Sequence, residues 1–148
     1  MKHKIIILLL VFTVAIAGCK TKTDIIENNK YEGDTAKNIS MVIKENTLTE
    51  VSATVIIKDN SGNKNGYSKY CEIYKRENDE WIKLNFIHDS VSITTENYIV
   101  DEDNTLELVQ NWEGLYGKLI PGEYKLVKYA TNLFDNSKVS ISTNFVIK

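Results

Sequence analysis

The chain has 148 residues, of which 43% are hydrophobic and 26% charged. That length holds one ordinary domain and excludes a two-domain enzyme, while the apolar share excludes a disordered chain. Lys and Arg total 18 against 20 Asp and Glu, a formal net charge of -2, so the electrostatic footprint of a nucleic-acid partner is missing.

The first element is a targeting segment. Lys2, His3 and Lys4 make a short basic start, and residues 5–17 form an apolar run interrupted only by Thr13. A run of this length suits the core of a signal peptide and falls short of the roughly 20 residues that span a bilayer. It ends in Ile16, Ala17, Gly18 and Cys19, which resembles the lipobox of bacterial lipoproteins. Small residues before the cut let the backbone enter a narrow protease site, and the Cys19 thiol accepts a diacylglycerol thioether. The alternative is an ordinary secretory signal with a Cys nearby by chance. The lipobox reading implies a signal peptide over residues 1–18 and lipidation at Cys19. At least two acyl chains would then hold the protein stably on the outer face of the bacterial cell membrane. Residues 19–38 follow as a polar tether of mixed charge without sustained periodicity. Treated as a coil, it spans about 25 Å.

From residue 39 to 148, β-branched and aromatic residues alternate with polar ones, and turn signals recur at short intervals. The pattern predicts a strand over 39–43, then one over 51–58 with Val51, Ala53, Val55 and Ile57 on one face. A turn at 59–63 leads to a strand over 68–77, and Asn78 with Asp79 turns it into 81–86. A weaker stretch over 91–95 precedes 98–100. After a turn at 101–104 come strands over 106–112 and 122–130, and a turn at 135–137. The last strand, 138–147, sets Val139, Ile141, Phe145 and Ile147 against Ser140, Ser142 and Asn144.

No segment has a helical period, and no dinucleotide or phosphate loop is present. The expected fold is all-β, an immunoglobulin-like antiparallel β-sandwich of about seven to nine strands over residues 39–148. Pro121, the single proline, falls in a loop where it interrupts no ladder. Tyr124, just past the Pro121-Gly122 turn, stands where such sandwiches carry a tyrosine corner.

Residues suited to chemistry are few. With Cys19 lipidated, Cys71 is left without a partner and reads as a small buried hydrophobe beside Ile73, the alternatives being a reactive thiol or an intermolecular bridge. His88 is the one histidine past the signal segment, in the run His88, Asp89, Ser90. Neighbours in sequence do not converge as a catalytic triad does, and one His with one Cys builds no zinc site. Residues 101–104 and 77–80 carry carboxylates but lack the spacing and glycine of a calcium loop, so both read as turns. No catalytic residue, metal or cofactor is expected. Among the aromatics, Trp81, Trp112 and Tyr124 are assigned to the core. Tyr70 and Tyr74 share the strand face opposite Cys71 and Ile73, and they form the candidate binding patch if that face is outward.

Residues 40–49, 53–60 and 112–119 running into Pro121, Gly122, Glu123 and Tyr124, with Tyr74, Lys75, Arg76 and Glu77 before Trp81, resemble the bacterial immunoglobulin-like domain of small lipoproteins in low-GC Gram-positive bacteria. Glu50 departs from the pattern, where that family often has Pro. The resemblance implies a sandwich fold and a surface location, and it brings no catalytic residues. Together these readings give a non-catalytic binding or accessory module that meets the membrane through its lipid and some protein or cell-envelope partner. The alternatives are a surface inhibitor of a protease or similar enzyme, which would show an exposed rigid loop, and a hydrolase, which would show a pocket around His88.

Overall fold

The computed structural model describes residues 36–93 and 96–148. The expected signal peptide, Cys19 and the expected tether up to residue 35 lie outside the described residues. In chain order the elements are β1 (Ile39–Ile43), β2 (Ser52–Asp59), β3 (Asn65–Tyr67), β4 (Glu72–Glu77), β5 (Glu80–Lys83), β6 (Thr105–Asn111), α1 (Glu113–Tyr116), β7 (Gly122–Asn132) and β8 (Lys138–Ile147).

Alternation decides which side of each strand turns inward. In β2, Ala53, Val55 and Ile57 are buried, while Ser52, Thr54, Ile56 and Lys58 look outward. Antiparallel pairing sets β2 between β1 and β6 in a three-stranded sheet. The second sheet has five strands, centred on β7. One edge of β7 carries β8 along its whole length, and the other carries β3 and then β4, with β5 outside β4. Met41, Val55, Ile57 and Leu108 of the smaller sheet and Ile73, Leu126, Ile141 and Phe145 of the larger one belong to a single core. Trp112 fills it between the layers, its ring 5.6 Å from that of Phe145. The chain is thus the all-β immunoglobulin-like sandwich its alternation predicts.

The tyrosine corner is present. Tyr124 is 1% exposed, and its hydroxyl donates to the carbonyl of Ile120 at 2.7 Å. Tyr124→Phe keeps the ring and orphans that carbonyl, so it should lower the unfolding free energy by about 1–3 kcal/mol. Urea titration checks this, and an unchanged midpoint would show that the bond contributes nothing. Cys71 is also buried in the core, and burial pushes its thiol up to about 11 even with the Lys128 ammonium nearby.

Four local features differ from the sequence pattern, each for a physical reason. Of the strand expected over 68–77 only Glu72–Glu77 forms, with β3 lying before it, and between the two the carbonyls of Ser68 and Tyr70 accept from the Lys128 ammonium at 2.6 and 3.0 Å instead of from a ladder. Residues 113–116 make one helical turn, too short to leave a period in sequence. Residues 91–93 form no strand, and Tyr98 makes only a single bridge to Tyr67. Trp81 is not a core residue. Its partner across the β4–β5 hairpin is Arg76, on the outer face, and its ring lies 4.5 Å from the Lys125 ammonium. The hairpin turns through Asn78 and Asp79, both left-handed at φ 48° and 66°, as a two-residue turn requires.

Candidate functional site

The site grows out of the alternation of β4. Cys71 and Ile73 point into the core, so Tyr70, Glu72 and Tyr74 emerge on the outer face of the larger sheet. Glu72 is the centre of this face, and its side chain is only 10% exposed. A carboxylate so covered needs donors to replace water. It has four: the Lys83 ammonium from β5 and the hydroxyls of Tyr74 at 3.0 Å, Tyr129 at 3.2 Å and Tyr70 at 3.4 Å. Burial, then the Glu72 charge, pushes the Tyr70 phenol up to about 12, and Tyr74 is raised for the same two reasons. Both phenols therefore stay protonated donors at neutral pH. Tyr70 also meets the ring of Phe86 edge-on at 6.4 Å, and Phe86 meets Tyr116 at 5.4 Å, so its ring is held from both sides.

Above this network lies an open hollow of about 630 Å³. Its floor is Tyr70, Glu72 and Tyr129 with Ser68 and Thr131, and its walls are Ile93, Asn97, Asn136 and Lys138. The walls at Asn97 and Asn136 are fixed to the sheet. Tyr98, next to Asn97, exchanges two backbone bonds of 2.8 Å with Tyr67. Asn97 also rests directly on Gly66, where a Cβ would come within 3.0 Å of it and 2.9 Å of Leu133. Asn136 sits in the β7–β8 turn, which the Asn132 and Asp135 side chains brace through the N–H groups of Phe134 and Ser137, both at 2.8 Å.

Tyr70 and Tyr74 do share one outer face and one carboxylate. Only Tyr70 reaches the hollow. Tyr74 is 5% exposed, because Lys83 and Lys125 flank it directly in the strand register, so the expectation of two exposed rings is corrected to one ring and a buried support. The residues that complete the floor, Glu72 and Tyr129, were not singled out in sequence. Glu72 was within reach of the alternation, standing between Tyr70 and Tyr74. Tyr129 was not, because only the pairing of β4 with β7 brings it there.

His88, Asp89 and Ser90 are exposed and take no part in the hollow. Residues 101–104 form a turn closed by the Asn104 N–H on the Asp101 carbonyl at 2.9 Å. Among the described residues no group of three or more His, Cys, Asp or Glu is placed to hold a metal ion.

Against known proteins, neither a curated protein nor a solved structure matches this sequence. A family model described as bacterial Ig-like domain matches residues 35–145, which takes in seven of the eight strands completely and most of β8. With that match and the two-sheet core it predicts, the chain belongs to the bacterial Ig-like domain family.

Proposed function

We propose that the protein is a cell-surface lipoprotein, anchored through Cys19, whose Ig-like domain binds a partner without catalysing a reaction. The observation that carries this reading is the locked floor of the hollow. A buried carboxylate fixes three tyrosine hydroxyls, and a rigid aromatic surface of that kind is suited to recognition. Family membership supports it, since Ig-like domains of bacteria are generally binding or accessory modules.

The test has two arms. Wild type should incorporate labelled fatty acid and sediment with membranes, whereas Cys19→Ser should do neither. Full chain carrying Cys19→Ser should then co-sediment with cell envelopes stripped of membrane, and adding Tyr70→Ser and Tyr129→Ser should reduce that binding at least fivefold. Unchanged labelling would remove the anchor, unchanged binding by a folded variant would remove the hollow, and turnover of any substrate lost on His88→Ala would remove the non-enzymatic reading.

A second reading, inhibition of an enzyme by loop insertion, rests on Phe134. It is 95% exposed at the tip of the braced β7–β8 turn. Phe134→Ala separates the two, because it should abolish inhibition while leaving binding at the hollow intact.

A further inference from the structure

The lining of the hollow narrows what it can hold, given the reading that this outer face is a binding site. Backbone recognition is unavailable. β7 is paired along its β8 edge and, on the other, with β3 and β4 except at Lys128 and Tyr129, and beside that two-residue gap the carbonyls of Ser68 and Tyr70 are taken by Lys128. A peptide that binds by adding a strand would find no free ladder there. Charge recognition is also weak. The Glu72 carboxylate is already occupied by Lys83 and three hydroxyls, and among the described residues Lys138 is the only cation lining the hollow. Phosphates and polyanions call for clustered Arg and Lys, which this floor does not offer.

What remains is aromatic surface with neutral donors and acceptors around it. Tyr129 is 37% exposed and Tyr70 is half-buried, and both rings are pinned by their hydroxyls to Glu72. Around them stand two amides, Asn97 and Asn136, and two hydroxyls, Ser68 and Thr131. Amides and hydroxyls each donate and accept, so they match a ligand whose own groups do both. A pyranose ring has that character: an apolar C–H face that lies on an aromatic ring, and a rim of hydroxyls. The hollow, at about 630 Å³, is within the size range of small-ligand sites and is open to solvent, so a chain of rings can pass through it.

We infer that the hollow binds a segment of polysaccharide, with sugar faces on Tyr129 and Tyr70 and sugar hydroxyls on Asn97, Asn136 and Thr131. Because the tyrosines are already immobilised, the ligand orders little of the protein on binding.

The experiment is titration calorimetry of the full chain carrying Cys19→Ser. The probes are soluble tetramers of β-1,4-linked glucose and β-1,4-linked N-acetylglucosamine, mannotetraose, and peptide-free glycan strands from cell wall. At least one should bind with a dissociation constant below about 1 mM. Tyr129→Ala should weaken it at least tenfold, while Tyr129→Phe, which keeps the ring, should stay within about threefold. Asn97→Ala alters an exposed side chain away from the Glu72 network and should weaken binding severalfold, which keeps the test open if Tyr129→Ala fails to fold. Absence of binding to every probe overturns the inference, as does binding that neither Tyr129→Ala nor Asn97→Ala changes. If all probes fail while envelope binding still depends on Tyr70 and Tyr129, the sugar is excluded and the binding face stands.

Discussion

Lys128→Met should lower the unfolding free energy by about 3 kcal/mol, measured by urea titration. Lys128 is 1% exposed, and its ammonium donates to the Gln110 side chain at 2.9 Å as well as to the carbonyls of Ser68 and Tyr70. Methionine fills similar space but leaves three acceptors dry. Relief from burying a charge offsets part of that cost, which keeps the figure below the sum of three lost bonds. Adding Gln110→Leu to the variant removes one orphan and should recover about 1 kcal/mol, a coupling that independent sites would not show. Gln110 is fully buried, and its Nε2 has no partner among the described residues.

The same lysine carries a pH signature. Burial pushes its amine down to about 8, against an unfolded value of about 10.4. Between those values the unfolded chain holds a proton that the folded chain has released, so the lysine's contribution rises with pH. Cys71 works in the opposite sense. Its thiol is raised to about 11, so from about pH 9 upward the unfolded chain loses a proton that the folded chain keeps. Both chains contain Cys71, so the difference between wild type and Lys128→Met isolates the lysine. That gap should widen by about 1 kcal/mol between pH 7.5 and 9. A gap that is constant or narrows with pH would mean that the amine is not held in the core.

Trp112→Ala should cost about 3–5 kcal/mol, a large part of the roughly 5–15 kcal/mol that keeps a domain of this kind folded. The indole is wholly buried, packs on Phe145 and donates to the Glu50 carbonyl at 3.0 Å. Its own carbonyl opens α1, accepting from Tyr116 at 2.8 Å. Trp112→Phe keeps most of the packing and loses the N–H bond, so it should cost about 1–2 kcal/mol. Trp81, on the outer face, remains as the fluorophore that reports unfolding in both variants. Equal midpoints for the alanine and phenylalanine variants would show that the cavity is not what destabilises.

Alternation carried most of the fold. The limits expected for the first and last strands, 39–43 and 138–147, are those of β1 and β8. Tyr124 was placed by a short-range signal, a Pro-Gly turn followed by an aromatic at the start of a strand. Alternation says which residues share a face but not which face is covered, and so it misjudged Trp81 and Tyr74. Lys128 was hidden for another reason. Alternation puts it on the face of Tyr124, Leu126 and Ala130, but the acceptors that make a buried lysine tolerable come from the residues between β3 and β4 and from β6. The hollow depends on such long-range pairings, because its floor and walls come from separate parts of the chain.

Where the chain enters the domain has a mechanical consequence. The Ala36 N–H donates to the Ser140 carbonyl on β8, and Ala36 and Lys37 lie close to Ser137 and Val139, near the Asn136 and Lys138 wall of the hollow. Tension between a bound ligand and anything upstream of residue 36 would enter and leave at the same end of the sandwich. Its path runs from the start of β8 to the start of β1. The opposite end, where Tyr124 holds Ile120 and Trp112 holds Glu50, stays outside the line of force. Under such a load the first contact in the line of force is the single Ala36–Ser140 bond, so the N-terminal residues should peel from β8 before any strand is lost. The hollow itself would remain intact under a pull that had already drawn out the residues ahead of β1.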